Sequence, residues 1–491
     1  MPPRTAAVFT LRPRRTRAGR LSRSRDATPR IGRLVLLTAT LWFLCGCATT
    51  PLANPAQTLL DRDQDISRRR LAFEQWAAAD NHANRANVLD ELIWSDQQPY
   101  ELRLRAIDWQ IQHDPLAFRH AAEKQLPRIE QWPVIQYIFD QAVQRRWDEF
   151  TIIAVRRYAR PSQVYDDQSR PERHVIESLN PGRTVEQTLS QWLFSPPAQQ
   201  PLADQVAAWT VLCRLIPTAQ LRQSLMDAPA SSTLITELQA AALVLDALPT
   251  TPESLAWLLL LRHEPAGLAL WTDASRLIAS LTAEQRYGLS LRHLRPLVLA
   301  DQPSSFSRED SLRNVQRRLL AADRILRPER LHHRQSRSED PALVADRLCW
   351  GDLLTIDVIQ QALADRALVA QLFTQADDDR LDAASEHGGI LDRHRQQWQA
   401  IAFAPELRLH DKKFYASVEM VQRMYTGVAH YHFHVQQTRN SDYAGPGPGD
   451  LDFADRHGAG ALVFTSIDER TLNVDYYQPG GVVVDLGVIR R

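Results

Sequence analysis

Cysteine is scarce: four in 491 residues, and no CxxC pair. That removes both a disulfide framework and a cysteine-built zinc knuckle. Cys45 and Cys47 close an N-terminal apolar run, whereas Cys213 and Cys349 lie far apart in apolar helical patterns (TVLCRLI and ADRLCWGDLL) and read as buried free thiols, not ligands. An excess of one charge is missing too, with 58 basic against 58 acidic residues. The balance is uneven along the chain. Residues 1–33 hold ten Arg and the single acid Asp26, so everything after them is mildly acidic and gives no electrostatic reason to expect nucleic acid. Long hydrophobic runs are absent as well: 34–44 and 255–261 are both too short to span a bilayer, and the second reads as a buried helix. No repeat of fixed period is visible. What is present is an ordinary globular composition, 44% hydrophobic and 24% charged, in a chain long enough for two or three domains.

The basic leader followed by Leu34–Leu44 has the layout of a signal peptide. It ends Leu44-Cys45-Gly46-Cys47, which resembles a bacterial lipobox. The resemblance implies cleavage after residue 46, lipid on Cys47 and anchoring in the cell envelope. With Ala48 next and no Asp at that second position, the anchor is expected in the outer membrane if the source has two membranes. Residues 47–57 are small, polar and proline-containing, as a tether would be.

Residues 58–327 read as helical. Leu104, Ile107 and Ile111 recur at helical spacing, as do Leu270, Ala274, Leu277, Ile278 and Leu281. Pro115, Pro133, Pro201, Pro252 and Pro265 stand near expected helix starts, where a missing N–H costs nothing, and Thr184-Val-Glu-Gln187 has the form of a capping box. Many helices of about 12 residues, joined by short polar turns, suggest an α-solenoid or stacked helical hairpins able to dock a protein partner. Residues 160–171 break the pattern as an ordered loop or a link between two lobes; 328–341 read as the linker to a second domain.

Beyond it the pattern changes to α/β. A helix is expected around Ile356–Leu363, a short segment at 369–374 and a turn at Gly388-Gly389. Strands are expected at 461–466, 471–477 and 482–487, the last two joined through Pro479-Gly-Gly. The chemistry gathers at 427–450, GVAHYHFHVQQTRNSDYAGPGPGD. Alternation along VAHYHFH places His430, His432 and His434 on one face of a strand, and imidazoles two residues apart can reach one metal ion. A Gly/Pro-rich loop then delivers Asp450, expected at the N-cap of a short helix over 451–456. Three protein ligands with an open fourth position describe a catalytic zinc site.

Glu386-His-Gly-Gly389, then His432-Phe-His434, then Gly447-Pro-Gly-Asp450-Leu451 resemble the JAB/MPN metalloprotease family and its JAMM motif of Glu, His-x-His and Ser-x-x-Asp. The resemblance covers residues 342–491. It implies an MPN-like α/β domain, one zinc per chain on His432, His434 and Asp450, and Glu386 as general acid/base acting on a protein or peptide amide. His430 would then stand beside the ligands, orienting one of them or the substrate. Two departures accompany the match. Gly447 occupies the place of the serine that helps stabilise the oxyanion in the family, and the interval from His434 to Asp450 is about five residues longer than usual. Ser441-Asp442 lies within that insertion, which leaves Ser441 as a substitute donor and Asp442 as the alternative ligand. The expected organisation is therefore 1–46 signal peptide, 47–57 tether, 58–327 helical region, 328–341 linker and 342–491 metalloprotease-like domain. The expected function is a lipid-anchored zinc hydrolase of peptide or isopeptide amides. The alternative is a non-catalytic envelope scaffold with a degenerate domain.

Overall fold

Thr251, Asn54 and Thr184 each accept a backbone N–H at a helix start, and prolines at first-turn positions fix the entry of the helices Pro55–Leu60, Pro115–Gln125, Trp132–Arg145, Pro252–His263 and Pro265–Ala279. Pro201 acts one position earlier, as the N-cap of Leu202–Leu215. The computed structural model describes residues 51–79, 84–162, 164–195, 200–300, 305–323, 344–408 and 414–491, without the side chain of Asp442. The signal peptide 1–46, Cys47 and the linker 328–341 lie outside the described residues. Among those described, no helix is long and apolar enough to cross a membrane.

The chain divides into two units, Met1–His82 and Ala83–Arg491. In the first, the helix Pro55–Leu60 begins inside the stretch read as tether, because Asn54 caps it and Pro55 opens it. It packs on Ile66–Ala77, and Arg69 Nε donates to Leu59 O at 2.8 Å.

The second unit starts as helices packed mainly on near neighbours in sequence. The described residues between Tyr158 and Pro171 are bends and turns, and the helices on either side, Phe150–Tyr158 and Pro171–Leu179, pack directly together. Buried Glu172 pairs with buried Arg157 and Arg170, each at 3.0 Å. Past 344, helices Trp350–Leu363 and Arg366–Arg380 precede a six-stranded sheet. Its strands are β1 Gly388–His394, β2 Gln397–Phe403, β3 Ala429–His434, β4 Ala461–Asp468, β5 Thr471–Gln478 and β6 Val482–Arg490, in the order β2-β1-β3-β4-β5-β6. Only β3 and β4 are parallel, and the crossover between them carries the helix Pro448–His457. One sheet face sends Tyr431, Phe433, Phe464 and Val474 into a core with Ile356 and Leu372 of the two preceding helices. The other face packs Ala461, Val463, Tyr477 and Val483 under Leu451 and Ala454 of Pro448–His457.

Four local expectations change. The segment at 369–374 is the middle of the helix Arg366–Arg380, whose N-cap Asp365 accepts the amides of Ala367 and Leu368. The helix expected from Ile356 starts a turn and a half earlier, at Trp350. Gly388 and Gly389 do not form a turn but open β1. A Cβ on Gly389 would stand 2.2 Å from Ile401 O and 2.5 Å from Tyr431 Oη, so glycine is required there for close approach within a sheet. Asp450 is not an N-cap: Pro448 starts the helix earlier, Gly447 caps it, and Asp450 is its third residue.

Candidate metal centre

Pleating puts His430, His432 and His434 on the sheet face opposite Tyr431 and Phe433, beneath the helix that carries Asp450. Three ligand atoms converge there. His432 Nε2 lies 3.2 Å from His434 Nε2 and 3.4 Å from an Asp450 carboxylate oxygen, and all three fall within 4.8 Å of one another. A tetrahedral ion with bonds of about 2.0–2.1 Å separates its ligands by about 3.3–3.4 Å. The two edges at His432, 3.2 and 3.4 Å, lie close to that figure, and the donor set, two imidazoles and a carboxylate, suits zinc.

The remaining bonds of His434 and Asp450 are committed elsewhere. His434 Nδ1 donates to Tyr443 O at 2.9 Å, which leaves the lone pair on Nε2. Asp450 Oδ2 accepts the amide of Gly447 at 2.6 Å, which turns Oδ1 toward His432. Burial opposes the charge on Asp450, but the adjacent His432, with which it also bonds, and His434 hold its carboxyl well below the usual carboxylate range. Burial likewise opposes a charge on His432, and the Asp450 carboxylate outweighs it, so that the imidazole titrates above its ordinary value. At His430 the Asp450 charge is outweighed. Burial, and then the neighbouring His432 and His457, push it down to about 3, so it stays neutral beside Tyr477 Oη, 3.4 Å from its Nε2.

Glu386 comes to the same place along the sheet. Antiparallel pairing of Gly388 with His432 continues through Phe433 N–H to His387 O at 3.2 Å, and one step further sets Glu386 opposite His434. Its carboxylate is buried and accepts from Gln436 Nε2 at 2.9 Å, while the Gln436 carbonyl accepts from Asn440 Nδ2 at 3.0 Å. The amide of Gln436 is thus fixed in one orientation, with its donor on the acid. Glu386, His432, His434 and Asp450 line one cleft of about 930 Å³, walled by Phe414, Phe453 and Tyr477.

The residues between His434 and Asp450 carry part of the site. They provide Gln436, Asn440 and the Tyr443 carbonyl, and Asn440 ties them to β4 through its amide to Ser466 O at 2.8 Å. Sequence reasoning missed Gln436 and Asn440; their signal was only the length of the loop between His434 and Asp450. Ser441 is exposed and does not line the cleft, whereas Gly447 does. Asp442, the alternative ligand, has its side chain outside the described residues.

A second group was not expected. His293, Cys349 and Asp352 also place ligand atoms within 4.8 Å of one another and so could hold a metal. The fit is poorer. His293 Nδ1 accepts the Ser290 amide at 3.0 Å, so Nε2 carries the proton and donates it to Asp352 at 2.9 Å. Arg292 donates to the same carboxylate oxygen at 2.9 Å, and the Cys349 amide to the other at 2.9 Å. Burial and then the Asp352 charge push the Cys349 thiol up to about 12, away from the thiolate a metal needs.

No family model, curated protein or solved structure matches the chain.

Proposed function

We propose that the protein is a zinc-dependent hydrolase of peptide or isopeptide amides, with an MPN-like C-terminal domain carried on an α-solenoid and tethered to the envelope by lipid on Cys47. The observation that carries this reading is the triangle His432–His434–Asp450, at ligand-ligand distances suited to a tetrahedral ion, with Glu386 opposite in the same cleft. Zinc bound there would polarise the scissile carbonyl and lower the pKa of water toward ~7. The chain's own residues do the rest. Glu386, oriented by Gln436, takes the proton of the attacking water and hands it to the leaving amine. Phe414, Phe453 and Tyr477 seat the substrate against the sheet and keep bulk water out. The helices of 84–323 offer a surface for a protein partner or substrate. Gly447 in the serine position favours a second reading, an envelope scaffold that keeps the shape without the turnover.

Metal analysis and a peptide library, applied to the mature protein, decide between them. The hydrolase reading expects about one zinc per chain, lost in His432→Ala and in His434→Ala and weakened in Asp450→Ala but not in Asp442→Ala. Glu386→Ala should keep the zinc and lose amide hydrolysis, since that carboxylate serves water rather than metal. Zinc without any cleavage supports the scaffold. No zinc, even after incubation with the ion, ends the metalloprotease reading.

A further inference from the structure

The elements that carry the candidate site are each held from outside the sheet domain. The entry to β3 is held by Trp257, in the middle of the helix Pro252–His263. Its indole N–H donates to Tyr425 O at 2.9 Å, and its ring stacks on the Tyr425 ring at 5.1 Å and 18°. Both side chains are buried. The helix carrying Asp450 is held at its far end. Thr251, the N-cap of Pro252–His263, donates its hydroxyl to Arg456 O at 2.5 Å, one of the carbonyls that a helix C-terminus leaves unpaired. The next residue, His457, bonds through Nδ1 to Tyr425 Oη at 3.4 Å and stacks on Phe453 at 4.2 Å. The strand following Glu386 is held by Arg295 of the helix Leu294–Leu299, which donates at 2.8 Å to both Asp392 and Arg393 O on β1. Asp392 is 2% exposed and accepts Arg423 on its other oxygen at 2.9 Å.

The three contacts have one consequence. His432 and His434 belong to a strand and Asp450 to a helix, and the sheet's hydrogen bonds do not fix the distance between the two. Trp257 and Thr251, one helix and its N-cap, touch the lead-in to the strand at Tyr425 and the helix at Arg456. We propose that Trp257, Thr251 and Arg295 are positioning residues for the metal triangle and its base, so that the helical region is an integral part of the site and not only a docking platform. The proposal rests on the metal reading above. It also makes the helix Pro252–His263 the route by which a partner bound to the helices could alter the site.

The test uses the full mature chain with Trp257→Ala, Trp257→Phe and, as a control, Phe139→Leu. Phe139 is buried in Trp132–Arg145, which packs on Tyr100–His113 and Pro171–Leu179. Zinc affinity is read by competition with a chelator, geometry by the visible spectrum of the Co²⁺-loaded protein, and packing by amide exchange over 428–434 and 448–457 in metal-free protein. Trp257→Ala should weaken zinc about 10–100-fold, the range typical of groups that orient metal ligands. It should also change the Co²⁺ spectrum and speed exchange in both segments. Trp257→Phe, which keeps a stack but loses the N–H bond, should fall between it and wild type. Phe139→Leu should lower Tm and move none of these. The proposal fails if Trp257→Ala lowers Tm like the control but leaves affinity, spectrum and exchange at wild-type values. A wild type that binds no zinc sinks the metal reading instead. Exchange then decides the bracing alone: acceleration in both segments sustains it, and unchanged exchange overturns it.

Discussion

Two groups in the second unit combine the same kinds of atoms to opposite ends. Around His293, Cys349 and Asp352 every strong donor already has an acceptor. Arg292, His293 Nε2 and the Cys349 amide all point at one carboxylate, and the charge of Asp352 is met by a guanidinium. Around His432, His434 and Asp450 the outer atoms of His434 and Asp450 are bonded, to Tyr443 O and the Gly447 amide, which leaves His434 Nε2 and Asp450 Oδ1 as acceptors on either side of His432 Nε2. Residue type and proximity do not separate the two. The direction of the surrounding hydrogen bonds does, because it decides which lone pairs remain for an ion.

The sharpest way to break the comparison is to remove its two carboxylates in turn. Asp352→Ala removes a buried carboxylate from the partly buried Arg292 and should cost about 3–5 kcal/mol of stability, the usual result of breaking a buried pair from one side. Its zinc content, measured on whatever folds, should equal wild type. Asp450→Ala should do the reverse, weakening zinc with a smaller fall in denaturant midpoint. Loss of zinc in Asp352→Ala would mean that the second group holds the ion and that the contrast has been drawn the wrong way round.

Acidification comes next in size. Burial, and then the Arg292 charge, depress the His293 pKa, and the Asp352 carboxyl is held low by Arg292 and His293 against the cost of burial. For both groups the unfolded chain takes up protons first as pH falls. Stability in metal-free protein should therefore decline below about pH 6.5 through His293 and again below about pH 3.9 through Asp352. His457, pushed by burial and Arg456 down to about 4, and His430, pushed down to about 3, add to the first decline, whereas His432, raised by Asp450, opposes it. Thermal melts from pH 7 to 5 should show it, and His293→Gln should make it shallower. A steeper slope in that variant would mean that His293 is charged in the fold and pairs with Asp352 as an ion.

How much of this was legible in the sequence follows from the range of the interactions. The histidine strand could be read because alternation is local, and 461–466, 471–477 and 482–487 could be read because they are dense in β-branched and aromatic residues; all lie within β3 to β6. The hairpin β1–β2 could not. Its turn, Arg395-Gln396, takes positive φ values of 47° and 67° with neither glycine nor asparagine, so the usual turn signal is missing. The triangle was legible as motif spacing, since Asp450 follows His432 by only 18 positions. The His293 group was not, because Cys349 and His293 meet across 56 residues through the packing of two helices. Trp257 could not be singled out either: in an apolar run it looks like core, and nothing local marks the carbonyl 168 residues away to which it donates.

The smallest expected effect tests the one motif position that departs from the family resembled. Gly447 caps the helix Pro448–His457, and a Cβ built there would meet only Asp450 Oδ2, at 3.5 Å. Gly447→Ser therefore fits without moving backbone, and as a cap substitution it should change stability by only a few tenths of a kcal/mol. Its hydroxyl would have two uses. It can accept a free amide of the helix's first turn, as a capping serine does, or turn into the cleft and donate to a developing oxyanion. A full oxyanion donor is worth about 10²–10³ in rate. Shared with the capping role, the gain should be nearer tenfold, about 1.4 kcal/mol of barrier. Zinc content should not change, because the Gly447 amide that turns Asp450 toward His432 is kept. A tenfold rise in peptide turnover would show that the native cleft works without this donor. Zinc retained with no turnover in either protein would place this site with the His293 group, as one whose geometry serves structure.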